Sequence, residues 1–168
     1  MKPLNRLHRL IEEFVQSENY RIRARIERLF EFADSRPRRN AGFEKWLQFE
    51  LVLFFLRKQY EVEIEQIVWT DLRKGDRDLQ IDILLKNHDI GIELKVRGSK
   101  RSAISAMKSD LAKFSRALDS HVNKTGNNFA VVLCGDPFDE TDLQKLNGVS
   151  TDARCIAVGD RSFIIGQA

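Results

Sequence analysis

The sequence predicts an α/β domain in which helices flank a mixed β-sheet. Three observations lead to this prediction. Residues 4–33 and 43–58 show helical spacing of apolar side chains, residues 61–96 show strand patterns, and a third helical segment, from residue 102, precedes the short apolar run NFAVVLCG. The length of 168 residues is enough for one compact domain with a hydrophobic core.

Residues 1–36 are predicted to form a helical extension of one or two helices, with a break near residues 17–19. The stretch SRPRRNAG, residues 35–42, contains Pro, Asn and Gly and is predicted to connect this extension to the main domain, residues 37–168. The first helix of that domain runs through FEKWLQFELVLFFLRK. Because it is apolar on more than one face, we expect it to pack on two sides.

Three strands are predicted next, one in EVEIEQIVWT and two in DLQIDILLKNHDIGIELKV, with the polar turn DLRKGDRD between the first and second. The helix SAISAMKSDLAKFSRALDSH follows, with Ser102 as its expected N-cap, and then the buried strand NFAVVLCG. FDETDLQKLNG predicts a short helix, and RCIAVGDRSFIIGQ predicts a last pair of strands. The predicted order is therefore helix, three strands, helix, strand and a terminal hairpin.

Three charged residues, Asp82, Glu93 and Lys95, lie within two strands that are otherwise apolar. An unpaired charge is costly in such a place. Side chains alternate between the two faces of a strand, so Glu93 and Lys95 share one face. The three charges become tolerable if the hairpin brings them together on that face.

The length of the hairpin turn decides whether these charges meet. A two-residue turn at Asn87-His88 puts Asp82 opposite Glu93, and a four-residue loop puts Asp82 opposite Lys95. A plain three-residue loop puts Asp82 and Glu93 on opposite faces unless a bulge restores the register. The cluster is thus conditional on the turn.

Two neighbouring carboxylates repel each other unless a cation lies between them. Mg²⁺ suits this position because it binds one or two carboxylates together with waters and phosphate oxygens. Lys95 could then orient the attacking water or neutralise charge that builds up on a phosphate. Oxygen ligands, a metal and an ammonium group together suit phosphodiester hydrolysis.

The spacing of Asp82, ten further residues and then Glu93-Leu94-Lys95 resembles the signature of the PD-(D/E)XK nucleases, which have the restriction-endonuclease-like fold. The core of that family has the order αβββαβ, which matches residues 42–135, a little over half of the chain. Ile81 stands where the family signature has Pro. The resemblance implies a nuclease fold and a DNA-cleaving activity.

On this resemblance, Asp82 and Glu93 are expected to bind Mg²⁺, with Mn²⁺ as a substitute, and the backbone carbonyl of Leu94 is a further ligand. Lys95 is the expected catalytic lysine. Members of the family often add an acidic residue from the first core helix.

That additional acid is either Glu44 or Glu50, which project about 60° to either side of Leu47. Glu44 with Gln48 one turn later is similar to the Glu-x-x-Leu-Gln pattern of some family members, which favours Glu44.

The net charge of +3 says little about partners, but basic residues cluster after the second predicted strand of the hairpin. The residues expected to contact the DNA backbone are Arg97, Lys100, Arg101, Lys108 and Lys113.

Function is therefore expected to be metal-dependent DNA endonuclease activity, of a restriction, repair or mobile-element type, with a possible homodimer that cuts both strands. The alternative is a non-catalytic nucleic-acid-binding or assembly subunit that keeps the fold. A small-molecule enzyme is disfavoured, since the chain shows no Gly-rich phosphate loop.

No apolar run reaches the roughly 20 residues of a membrane span, and the start MKPLNRLHRL lacks the apolar stretch of a signal peptide. Cys134 and Cys155 lie in apolar contexts without CxxC spacing. These features predict a cytoplasmic protein without a membrane partner.

Overall fold

The computed structural model describes the chain apart from residues 1, 19–20, 35–40, 72–76, 119–125, 147, 151 and 168. For residues 33–34, 41–42, 66–71, 77–80 and 116–118 it describes the backbone alone. The helices are α1 (Pro3–Gln16), α2 (Ile22–Asp34), α3 (Ala41–Arg57), α4 (Lys100–Leu118) and α5 (Glu140–Gln144). None of these helices is long and apolar enough to cross a membrane.

Six strands form one mixed sheet in the order β1-β2-β3-β4-β6-β5. Their bounds are β1 (Val62–Asp71), β2 (Arg77–Leu85), β3 (Ile90–Arg97), β4 (Asn127–Cys134), β5 (Asp152–Val158) and β6 (Arg161–Gln167). Among the described strands, β3 and β4 alone pair in parallel, with α4 as the crossover between them. The α/β class and the predicted order of elements are confirmed.

Helices α1, α2 and α3 pack on one face of the sheet. Their buried side chains, such as Leu7, Ile26 and Leu47, share one apolar core with Leu94 and Val96 of β3. The predicted break in the N-terminal segment is confirmed, because α1 ends at Gln16 and α2 begins at Ile22. Most of the predicted connector, including its boundary at residues 36 and 37, lies outside the described residues, as does most of the predicted turn at residues 71–78.

Helix α4 covers the other face of the sheet. Met107, Leu111 and Phe114 pack against Ala130 and Val132 of β4 in a second apolar core. This helix lies over the face to which Glu93 and Lys95 point, since Ile92, Leu94 and Val96 belong to the opposite core. Here α4 forms one wall of the candidate site.

The start of α4 corrects one prediction. The helix begins at Lys100, so the N-cap is Ser99 and the expected N-cap Ser102 lies inside the first turn. The Ser99 hydroxyl accepts from the Ser102 N–H at 3.4 Å, and the Asp136 carboxylate accepts from the Lys100 N–H at 2.9 Å. Two side chains therefore satisfy N–H groups of the first turn, and the helix starts two residues before the predicted cap.

Candidate active site

The β2–β3 hairpin has the register that the sequence predicts for a two-residue turn. Leu85 pairs with Ile90 and Ile83 pairs with Ile92. Continued by one residue, this register puts Asp82 across from Glu93. The turn itself is one 3₁₀ turn, Lys86–His88, followed by Asp89 in the left-handed conformation (φ 52°).

The two strands separate at Asp82. One oxygen of its carboxylate, Oδ2, accepts a hydrogen bond of 2.7 Å from the backbone N–H of Leu94, and its backbone carbonyl accepts one of 2.7 Å from the Gln48 side chain. The neighbouring strand β1 is distorted at the same level. Glu65 of β1 has a φ of 52°, and the residues before and after it pair with Ile83 and Ile81 of β2. The Leu94 N–H and the Asp82 carbonyl thus bond to side chains and not to backbone groups of the neighbouring strand. A gap therefore opens between β2 and β3 at this level.

Lys95 lies in this gap and binds two oxygen atoms of its own strand. Its ammonium donates to Glu93 Oε1 at 2.7 Å and to the Leu94 carbonyl oxygen at 2.9 Å. The Glu93 and Lys95 side chains are only 16% and 19% exposed. A positive charge therefore lies against a carboxylate and a carbonyl oxygen in a largely buried site.

Burial and mutual repulsion shift the titration of both carboxylates. Burial raises the pKa of Asp82, although the Leu94 N–H and the Lys95 charge oppose the shift. Burial, followed by the negative charge of Asp82, raises the pKa of Glu93 to about 7. Burial lowers the pKa of Lys95, but the surrounding carboxylates outweigh this effect and the pKa is raised overall. The two acids together hold more negative charge than one lysine neutralises.

Of the two acids considered on α3, Glu44 lies at this end of β3. Its Oε1 accepts from the Val96 N–H at 3.3 Å and from the Arg97 guanidinium at 2.7 Å. Glu50 instead points to α2, where it binds Arg25 at 2.5 Å. The packing of α3 thus brings Glu44 next to β3 and directs Glu50 away from it.

Two of the lysines expected to bind DNA are paired with buried acids. Lys100 binds Asp142 at 2.6 Å, and Lys113 binds Asp110 at 2.7 Å. Each acid is almost fully buried, with 3% and 2% of its surface exposed. These lysines therefore neutralise acids of the protein.

Arg101 and Lys108 differ from the paired lysines. Both are exposed on α4 and have no ion-pair partner among the residues that the structure describes. They are seven positions apart, about two helical turns, so they lie on the same side of the helix. They remain available for a phosphate backbone.

Asp110 is a further buried acid near the site, and it is not among the site residues predicted from the sequence. It lies on the buried side of α4, and its charge acts on both Glu93 and Lys95. The signal in the sequence is an acid directly before Leu111 and three residues after Met107, on the apolar face of the helix. An ionisable residue in that position needs a compensating partner.

The oxygen donors of the site fit a divalent cation. In the described part of the chain, no three Asp, Glu, His or Cys side chains come close enough to hold a metal ion. The oxygen atoms that could hold an ion here are those of Asp82, Glu93 and the Leu94 carbonyl, and Mg²⁺ commonly binds one or two carboxylates and fills its other positions with water or phosphate oxygens. The ammonium of Lys95 already binds two of these donors.

Comparisons with known proteins do not assign the chain to a family. No family model, curated protein or solved structure matches it. The proposed roles of these residues depend on the geometry described above and on the resemblance of the motif.

Proposed function

We propose that this protein is a divalent-metal-dependent DNA endonuclease with a restriction-endonuclease-like fold. The observation that supports this proposal most strongly is the position of Lys95, whose ammonium bridges Glu93 and the Leu94 carbonyl at a gap that also contains Asp82. A cation bound between a carboxylate and a carbonyl is the arrangement that a hard metal ion takes.

Asp82, Glu93 and the Leu94 carbonyl oxygen would hold the ion. When bound, a divalent cation polarises a phosphate oxygen and lowers the pKa of a water molecule. Without an ion, burial and then the negative charge of Asp82 raise the pKa of Glu93 to about 7. Deprotonated Glu93 is the form that binds metal, so the site loads more readily as the pH rises.

Lys95 has the reach and the charge for the catalytic step. Lys95 lies two residues after Glu93 on the same face of β3, and its side chain is 19% exposed, so its ammonium can contact a phosphate that enters from solvent. A fixed positive charge next to a phosphate stabilises the negative charge that develops in the transition state. In the same place it can orient a water molecule for attack.

Glu44 and Arg97 form the outer part of the site. The Arg97 guanidinium donates to Glu44 and also to the Val96 carbonyl, at 2.7 and 2.8 Å. Both bonds hold the guanidinium next to the end of β3, where a phosphate of the substrate would lie. Glu44 thus positions Arg97 and adds negative charge close to the ion.

A non-catalytic nucleic-acid-binding subunit is the second candidate function. It is favoured by the direct ion pair of Lys95 with Glu93, which partly neutralises the site within the chain itself. The exposed Arg101 and Lys108 support DNA binding under either function.

The decisive experiment measures cleavage of linear double-stranded, single-stranded and branched DNA with Mg²⁺, with Mn²⁺ and with a chelator. We expect metal-dependent cleavage that falls about a hundredfold or more in Lys95→Ala and in Asp82→Asn. Lys86→Ala is the matched control, because Lys86 lies at the other end of the same hairpin and pairs with Glu61 and Glu63.

Two results would count against the proposal. Cleavage that survives both Lys95→Ala and Asp82→Asn would come from a different site or a contaminant. Absence of cleavage on every substrate, together with salt-dependent DNA binding, would favour the non-catalytic function. Sedimentation of the protein with a cleavable duplex would show whether two copies act on the two strands.

A further inference from the structure

Asp110 is a buried acid with one unused oxygen atom. Its side chain is 2% exposed, and its Oδ1 accepts from Lys113 at 2.7 Å. Among the residues that the structure describes, none donates a hydrogen bond to Oδ2, which is fully buried. A buried carboxylate oxygen without a partner is costly, so its retention needs an explanation.

Helix α4 places Asp110 on the side of the sheet to which the site residues point. Glu93 and Lys95 project from β3 toward α4, because their neighbours Ile92, Leu94 and Val96 fill the opposite core. Among the charges that raise the pKa of Lys95, that of Asp110 follows Glu93 and precedes Asp82. Asp110 is therefore an electrostatic neighbour of the Lys95 ammonium.

If a metal ion binds at the site, the Lys95 ammonium needs a hydrogen-bond acceptor other than the two that it uses without the ion. The Lys95 ammonium uses Glu93 Oε1 and the Leu94 carbonyl, which are two of the three proposed metal ligands. A divalent cation on these oxygens would repel the ammonium and compete with it for both of its hydrogen-bond acceptors. A largely buried ammonium without acceptors is unfavourable.

We propose that Asp110 is a positioning residue for Lys95, whose ammonium moves to the unpartnered Oδ2 of Asp110 when a divalent cation occupies Glu93 and the Leu94 carbonyl. This inference rests on the proposed function, since it requires an ion at that site. Lys95 then stays inside the site both with and without the metal ion. In the metal-bound state, Oδ2 of Asp110 accepts the hydrogen bond of its ammonium. Lys113 holds the other oxygen and fixes the orientation of the carboxylate.

The test is a double-mutant cycle on metal affinity, measured by calorimetric titration of Mn²⁺ into the full-length protein without DNA. Asp110→Asn is expected to weaken Mn²⁺ binding about tenfold when Lys95 is present. In the Lys95→Met background the same change is expected to weaken binding about twofold or less, because no ammonium then needs the acceptor. A purely structural role of Asp110 predicts equal losses in both backgrounds.

Asp142→Asn is the matched control. Asp142 is also a buried acid that pairs with a lysine three residues later, Lys145 at 2.7 Å, but both of its oxygens have partners. It controls for the loss of one buried carboxylate, and we expect a change in Mn²⁺ affinity of less than about twofold. If Asp110→Asn does not fold, Asp110→Leu removes the acceptor with an apolar side chain like its neighbours.

The outcomes separate this inference from the proposed function. If Asp82→Asn leaves Mn²⁺ affinity unchanged, no ion binds at the site and both fail. If Asp82→Asn abolishes binding while Asp110→Asn has the same effect with and without Lys95, or none, only the positioning role is overturned. A crystal structure of the wild-type protein with Mg²⁺ gives an independent result, since Lys95 Nζ must then lie within hydrogen-bond distance of Asp110 Oδ2.

Discussion

The Asp82 carboxylate accepts a hydrogen bond of 2.7 Å from the backbone N–H of Leu94, across the hairpin. This bond fixes one carboxylate oxygen and leaves the other for a ligand. It also ties Asp82 to the residue whose carbonyl Lys95 binds at 2.9 Å. Strands β2 and β3 therefore hold the three proposed ligand groups in place. Burial and the charges of the surrounding side chains shift the pKa values of the two carboxylates.

Glu44 and Glu50 should have separable effects. Glu44→Gln is expected to lower metal-dependent cleavage about tenfold or more, because it removes charge next to the site and releases Arg97. Glu50→Gln is expected to keep cleavage within about twofold and to lower the free energy of unfolding by about 1 kcal/mol, since Glu50 is buried against Arg25. Cleavage rates and urea unfolding measure the two effects, and the reverse pattern would place Glu50 in the site.

The titration of Glu93 should appear in the pH dependence of stability. Its pKa rises from 4.5 to about 7 on folding, so the folded protein retains a proton that the unfolded chain has lost. The stability that this proton contributes is complete below about pH 4.5 and is lost as the pH rises to about 7.

Relative to Glu93→Gln, which does not titrate, the wild type should thus lose on the order of 3 kcal/mol between about pH 4 and pH 8. Urea unfolding with a chelator present measures this difference. Glu61→Gln, at the exposed far end of the hairpin, controls for the loss of one carboxylate. A constant difference between wild type and Glu93→Gln across this range would contradict the assignment.

Arg101 and Lys108 are expected to contribute to DNA binding through phosphate contacts. Each replacement by Ala should reduce the slope of log K against log salt concentration by about 0.9 and weaken binding to all sequences alike. Binding measured at several salt concentrations tests this expectation. Lys58→Ala is the control, because Lys58 directly follows α3 and pairs with Glu13 of α1. An unchanged slope in both variants would exclude this side of α4 as the DNA contact.

Gly135 and Gly98 form a matched pair at the end of β3 and β4. A Cβ on Gly135 would lie 2.6 Å from the Gly98 carbonyl oxygen and 3.0 Å from the Phe30 ring, whereas a Cβ on Gly98 meets nothing within 4 Å. We expect Gly135→Ala to lower the free energy of unfolding by about 1–3 kcal/mol and Gly98→Ala to change it by less than about 1 kcal/mol. Thermal or urea unfolding compares them, and equal effects would show that the segment after Arg97 shifts easily.

The sequence by itself determined the order of the elements and the alternation along β3, and it limited the hairpin register to a few turn lengths, of which the structure has the two-residue one. Alternation along β3 put Glu93 and Lys95 on one face, and the turn after Leu85 kept the register that brings Asp82 across from Glu93. These features follow from short stretches of chain, in which each residue constrains its near neighbours. Even so, local reasoning misplaced the start of α4, since it did not include the Asp136 contact with Lys100.

Only the tertiary structure decided which side chains of the helices reach the site. Because α3 is apolar nearly all round, its periodicity does not favour the Glu44 side over the Glu50 side. Only the resemblance to a family pattern favoured Glu44, and contacts with α2 and β3 make that choice in the fold. The pairing of Lys113 with a buried Asp110 was likewise hidden, because burial depends on how α4 lies over β3. Periodicity is a property of one segment, whereas the facing of two segments depends on packing between residues far apart in the chain.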